Sequence, residues 1–145
     1  TSGCGLCTVF LDDKPVLSCS ILAARVDGHK VTTLEGLKEE AEEFGAFIAD
    51  QGAEQCGFCN PGMIMNALAL FRENEFPNEE EIKEYLAGNL CRCSGYEGQL
   101  RGIQNFLVWK KEKRFIATGY GRTGKKASQK KRCHAACDWS ASIYG

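Results

Sequence analysis

Two short cysteine motifs offer the clearest chemistry in this chain: Cys56-Gly57-Phe58-Cys59 and Cys91-Arg92-Cys93. Thiolates are soft metal ligands, and four of them satisfy either a [2Fe–2S] cluster or a tetrahedral zinc ion. Each motif lies at the predicted start of a helix, the first before Pro61 and the second before Gly95-Tyr96. The exposed N–H groups there stabilise thiolate charge and can donate to sulfur. Gly57 and Gly95 allow backbone to approach a cluster where a side chain would crowd it. Zinc sites usually space each cysteine pair by two to four residues, so the single residue between Cys91 and Cys93 is tight for zinc. The same spacing is workable for two sulfurs on one iron. A pair of disulfides would need an oxidising compartment and leaves the glycines unexplained. Spacing therefore favours iron–sulfur, with zinc and disulfides still open.

A second group, Cys4, Cys7 and Cys19, follows the C-x₂-C…C part of the plant-type ferredoxin spacing. The first cysteine of that spacing would fall just before Thr1. A start without methionine, inside a motif, reads as a partial sequence. The bland alternative is that these are ordinary thiols.

The elements that must position these residues can be read from hydrophobic periodicity. Thr8-Val9-Phe10-Leu11, a polar Asp12-Asp13-Lys14-Pro15 turn and Val16-Leu17-Ser18-Cys19-Ser20-Ile21 predict a hairpin. A second turn, Asp27-Gly28-His29-Lys30, leads to a short extended piece from Val31, which puts His29 at the surface. Leu34, Leu37, Ala41, Phe44, Phe47 and Ile48 recur at helical steps between glutamates and predict an amphipathic helix with Thr33 as N-cap. Pro61 suits the first turn of a second helix, over 62 to about 74. Asn78 with Glu81 predicts a capping box for a third helix ending near Gly88. Leu100, Ile103, Phe106, Leu107 and Lys110 line a fourth, from about Gln99 to Lys113. Phe71, Phe106 and Trp109 fall at core positions, and Met63 and Met65 flank the first cysteine loop.

With 145 residues the chain can bury one good core, or smaller ones helped by a cofactor. A net charge of −1 gives no general attraction to nucleic acid or to a membrane surface. The acidic runs at 35–43 and 79–84 and the basic run at 110–132 read as solvated faces and a loose tail. Nine cysteines fit metal binding in the cytoplasm or disulfides in a secreted chain. No apolar run is long enough to span a bilayer, and the start is no signal peptide, so a cytoplasmic protein is expected.

Three stretches then carry a specific resemblance: Cys4-Gly5-Leu6-Cys7-Thr8-Val9, Gln55-Cys56-Gly57-Phe58-Cys59-Asn60-Pro61-Gly62-Met63 and Gly88-Asn89-Leu90-Cys91-Arg92-Cys93-Ser94-Gly95-Tyr96. They closely resemble the small iron–sulfur subunit of the molybdenum hydroxylases, the group of xanthine dehydrogenase, aldehyde oxidoreductase and carbon monoxide dehydrogenase. The resemblance runs from about residue 3 to 113. It implies an α+β architecture: a partial plant-ferredoxin-like β domain over 1–33 and a four-helix [2Fe–2S] domain over 34–115. Outside the resemblance, composition predicts a basic, flexible tail over 116–145. The resemblance implies one [2Fe–2S] cluster on Cys56, Cys59, Cys91 and Cys93, and a second on Cys4, Cys7 and Cys19 with one ligand missing. It also implies electron relay from a molybdopterin-binding large subunit toward an FAD-binding subunit or another acceptor, with hydroxylation on the partner. In that family the residues matching Gln55 and Cys93 approach the pterin, making these the candidate contacts. Asn60 stands where Thr is usual and Ser94 where Thr is common. Without its first ligand the ferredoxin-like site would be empty, labile or dependent on a substitute.

The competing function is a zinc-stapled helical interaction module whose basic tail binds a partner. A thiol redox sensor is a third reading, but no feature singles out a reactive cysteine. Cys133-His134-Ala135-Ala136-Cys137 could be a metal fragment, although two cysteines and a histidine on a Gly/Ser-rich tail are more often incidental.

Overall fold

A computed structural model describes residues 3–117 of the chain. The expected tail, with Cys133, His134 and Cys137, lies outside the described residues. The first elements are strands β1 (Thr8–Leu11) and β2 (Lys14–Leu17), antiparallel with Leu11 opposite Lys14. The turn between them is tighter than the sequence implies. Only Asp12 and Asp13 form it, both with positive φ (48° and 66°), as a two-residue hairpin turn requires. Pro15 therefore sits in the strand, opposite Phe10, and β2 tolerates it because it is an edge strand. Strand β3 (Val31–Thr32) pairs with the other side of β1, giving the order β2-β1-β3. The Asp12 carboxylate ties the two loops together, accepting the Lys30 N–H at 2.9 Å and bonding the exposed His29 ring.

Strand β1 alternates as a half-buried strand should, with Thr8 and Phe10 facing inward. Beyond the sheet, a single turn of 3₁₀ helix (Leu34–Leu37) precedes helix α1 (Lys38–Asp50). The sequence implies one continuous helix from Thr33. Instead the Gly36 N–H bonds Thr33 O at 3.0 Å in the tighter register, at a residue with weak helix propensity. Helix α2 (Asn60–Glu73) is the buried centre: Met63, Met65, Ala67, Leu68, Ala69, Leu70 and Phe71 are all buried. Helix α3 (Glu79–Leu86) begins with the expected capping box, Glu81 N–H to Asn78 Oδ1 at 3.0 Å and Asn78 N–H to Glu81 Oε2 at 2.7 Å. Helix α4 (Tyr96–Ala117) starts earlier than the sequence implies.

Phe44, Phe71 and Phe106 pack as a triangle of rings with centroids 5.2–5.4 Å apart, and Phe47 and Trp109 extend it. This joins α1, α2 and α4 at the end of the bundle away from the cysteines. Arg72 connects the bundle to the sheet. Its guanidinium lies 4.7 Å from the centre of the buried Phe10 ring and pairs with Glu40 at 3.1 Å and Asp13 at 3.9 Å. Among the described residues no helix is long and apolar enough to cross a membrane.

The bundle and the first cysteine loop come into backbone contact at Gly62. A Cβ there would lie 1.9 Å from Gly5 O, so the first turn of α2 touches the Cys4–Cys7 loop directly. Gly62→Ala should therefore cost about 1–3 kcal/mol of unfolding free energy through overpacking. Denaturant unfolding checks this; a midpoint equal to that of the parent would mean that loop and helix can part freely.

Candidate metal centre

The α1–α2 loop carries Cys56 and Cys59, and the α3–α4 loop carries Cys91 and Cys93. Gly57 (φ 75°) turns the first loop, and the Asn60 N–H closes it onto Gly57 O at 3.1 Å. Ser94 (φ 59°) turns the second, whose Ser94 N–H bonds Cys91 O at 3.2 Å. The structure brings all four predicted residues to one end of the bundle, but in a different pairing from the one spacing implies. Cys91 and Cys93 do not act as a unit. The Sγ atoms of Cys56 and Cys93 stand 3.5 Å apart, and the Cys59 thiol neighbours that of Cys91. Each pair takes one sulfur from each loop, because the tight turn closed between Cys91 and Ser94 swings Cys93 outward while Cys91 stays inside.

The two pairs have different surroundings. Cys59 and Cys91 are buried, whereas Cys56 and Cys93 are exposed. Burial, reinforced by Cys91, pushes the Cys59 thiol up to about 11. The Phe58 backbone N–H, with help from Cys93, holds the Cys56 thiol below its ordinary range. The hydrogen bond with Cys56 raises Cys93.

Donors also surround the buried sulfurs. The Gly95 N–H reaches Cys91 Sγ at 3.3 Å, and the Gln99 side-chain amide reaches Cys59 Sγ at 3.5 Å. A Cβ on Gly95 would come within 3.0 Å of Ala53 O and Gln55 Oε1, so only glycine leaves this cradle open. The Cys91 N–H is taken by Tyr96 Oη at 2.8 Å. Asn60 links Glu54 (2.6 Å) to the Cys59 side, and burial raises the Glu54 carboxyl. Four thiols in two cross-loop pairs, with N–H donors on the buried pair, fit a binuclear iron–sulfur cluster. Among the described residues, no three His, Cys, Asp or Glu side chains gather around a single metal position.

In the second group, Cys7 and Cys19 come together at the open end of the hairpin. The Cys19 N–H lowers the Cys7 thiol, and the Ser18 N–H bonds Cys7 O at 3.1 Å. Cys4 lies toward the bundle instead: its carbonyl accepts the Leu90 N–H at 3.1 Å. A cavity of about 260 Å³ is lined by Cys4 and Leu6 together with Cys56, Phe58, Cys91 and Arg92 among others. Gln55 is exposed, with its Oε1 beside Gly95. Periodicity does not single out Tyr96 or Gln99, since it begins α4 too late to place them in the first turn over the cysteine loop.

Residues 33–104 match the family described as a [2Fe-2S] binding domain. The chain is 48% identical over 99 residues to a probable xanthine dehydrogenase subunit of Bacillus subtilis (strain 168), covering 68% of this chain and 57% of that protein. It is 44% identical over 95 residues to the nicotinate dehydrogenase small FeS subunit of Eubacterium barkeri, covering 64% and 60%. The chain thus spans under two thirds of the length of these curated relatives. The crystal structure of quinoline 2-oxidoreductase from Pseudomonas putida 86 superposes with a TM-score of 0.70 at 36% identity, covering 79% of this chain and 72% of that one.

The asymmetry of the two sulfur pairs is directly testable in the metal-free chain. At pH 8 an alkylating reagent should label Cys56 at least about tenfold faster than Cys59. Labelling of Cys59 should accelerate as pH rises toward about 11, where its thiolate forms. Peptide mapping by mass spectrometry reads both; equal rates at pH 8 would contradict the arrangement.

Proposed function

Because the chain belongs to the iron–sulfur subunit family of the molybdenum hydroxylases, we propose that it relays electrons between a molybdopterin-binding large subunit and an FAD-binding subunit or other acceptor. The carrying observation is the meeting of Cys56 with Cys93 at 3.5 Å, beside the buried Cys59 and Cys91. These four residues would hold one [2Fe–2S] cluster. Cys4, Cys7 and Cys19 would contribute to a second, with a fourth ligand supplied from elsewhere. When bound, each cluster supplies a one-electron carrier and no bond-making chemistry.

The chain's own residues divide the work by exposure. Cys56, Cys93 and Gln55 form an open edge suited to the molybdopterin partner, with Cys93 and Gln55 as pterin contacts. Phe58, 63% exposed, and Leu90, 59% exposed, flank that edge with apolar surface that a partner subunit would cover. Cys59 and Cys91 face inward, where exclusion of water keeps the cluster from side reactions. The hydrogen bond from Leu90 N–H to Cys4 O joins the residue next to Cys91 to a ligand of the second group, a short connection for electron passage. Free cysteines throughout both sites suit the reducing cytoplasm. The matching family binds [2Fe–2S], which leaves the zinc-stapled module without support.

Anaerobic reconstitution with iron and sulfide tests the reading. Uptake of about two irons per chain is expected from the helical site alone and about four if both sites fill. Reduction should give a paramagnetic [2Fe–2S] signal. Cys59→Ser should remove about two irons and the corresponding signal. Stoichiometric zinc uptake without iron, or iron uptake indifferent to Cys59, would refute it.

A further inference from the structure

Gln99 is 5% exposed, in the first turn of α4, with its backbone N–H fixed on Gly95 O at 2.9 Å. Its side-chain Nε2 points back into the cysteine site and lies 3.5 Å from Cys59 Sγ. A buried amide is costly unless it finds a partner, and an apolar side chain would fill the same space without that cost. The position of this amide therefore demands a role for its donor, and the atom that receives it is a cluster ligand under the proposed function.

We propose that Gln99 tunes the reduction potential of the cluster on Cys56, Cys59, Cys91 and Cys93, raising it by donating an N–H···S hydrogen bond to Cys59. The inference rests on that cluster assignment. In the reduction step one electron is added, supplied by the partner subunit in the relay or by dithionite in a titration. No bond breaks, and the amide proton stays on Nε2. The added charge spreads onto the ligand sulfurs, so a fixed donor on one of them favours the reduced form. The effect is largest where water cannot compete, and Cys59 is on the buried side of the site. Gly95 N–H acts in the same sense on Cys91 at 3.3 Å, but it is backbone and common to any residue there. Gln99 is the donor that sequence can change, and it acts through Cys59 without being a ligand itself.

The test is a redox titration of the reconstituted full chain, followed by the paramagnetic signal, for the parent, Gln99→Met and Gln99→Asn. Methionine keeps the length and removes the donor; asparagine keeps the amide and withdraws it by one methylene. In both variants the reduced-to-oxidised ratio of the helical-site cluster at a fixed potential should fall about three- to tenfold, the size expected from one hydrogen bond. A tenfold fall corresponds to about 59 mV for a one-electron couple. The signal lost in Cys59→Ser identifies which cluster is being read. Unchanged potential in a variant with parental iron content overturns the proposal. Failure of both variants to load iron also overturns it, because Gln99 would then serve assembly and not potential. A parent that binds no iron overturns the cluster assignment and, with it, the role of the amide, whereas an unchanged potential in iron-loaded variants overturns the role of the amide alone.

Discussion

Everything at the cysteine end of this protein depends on holding two loops at a separation that lets one sulfur from each meet one from the other. Neither loop could form the site alone. Each pair sets two sulfurs side by side, and one pair is buried, where charge is least tolerated. The fold meets this by fixing the loops from behind. Helix α2, buried along most of its length, carries the first loop at its start, and α4 carries the second at its start. The aromatic triangle of Phe44, Phe71 and Phe106 clamps these two helices and α1 at the far end. Rigid packing there becomes fixed spacing between sulfurs.

The contacts near the site are correspondingly tight and made largely by backbone. Gly62 lies against Gly5, Gly95 lies against Ala53 O and Gln55, and Leu90 N–H reaches Cys4 O. The groups that reach the two buried sulfurs include donors, the Gly95 N–H and the Gln99 side-chain amide. Arg72, near the end of α2, ties the bundle to the sheet by covering Phe10 while pairing with Glu40 and Asp13. These pairs are partly exposed, so the stacking over Phe10 and the connection it makes matter more than their Coulomb energy.

Much of this is legible in the sequence where a residue type has one local use. Asn78 and Glu81 specify a capping box, Pro61 specifies a first turn, and the three- and four-residue steps through Phe44, Ile48, Ile103 and Phe106 specify core faces. The four sulfurs can be gathered from their motifs. Their pairing cannot, because spacing along the chain says how far apart two thiols are and not which way each points. The start of α4 is hidden for a related reason: Gly95 and Gly98 weaken the helical pattern where the helix begins. That conceals Tyr96 and Gln99, since a polar residue in the first turn of a helix usually faces water. Asp12-Asp13 reads as part of a longer turn because aspartate and proline are both turn formers, and the strand's edge position, which admits Pro15, is a property of the sheet.

The difference between the two sulfur pairs gives the site a direction. Outward, Cys56 and Cys93 are open to solvent beside exposed Phe58 and Leu90, and water or a docking surface can answer their charge. Inward, Cys59 and Cys91 have only the groups that the fold supplies, so the energy of added charge there is set by α4 and its preceding loop. From the inner side the chain continues through Leu90 to the carbonyl of Cys4, hence toward the loop of the second cysteine group. That loop is in turn seated on Gly62, in the helix that begins just after Cys59. The two groups therefore share one frame: displacing the Cys4–Cys7 loop strains the start of α2 and, with it, the inner sulfur pair. A shared backbone frame is the means by which this small fold ties the positions of the two cysteine groups to each other.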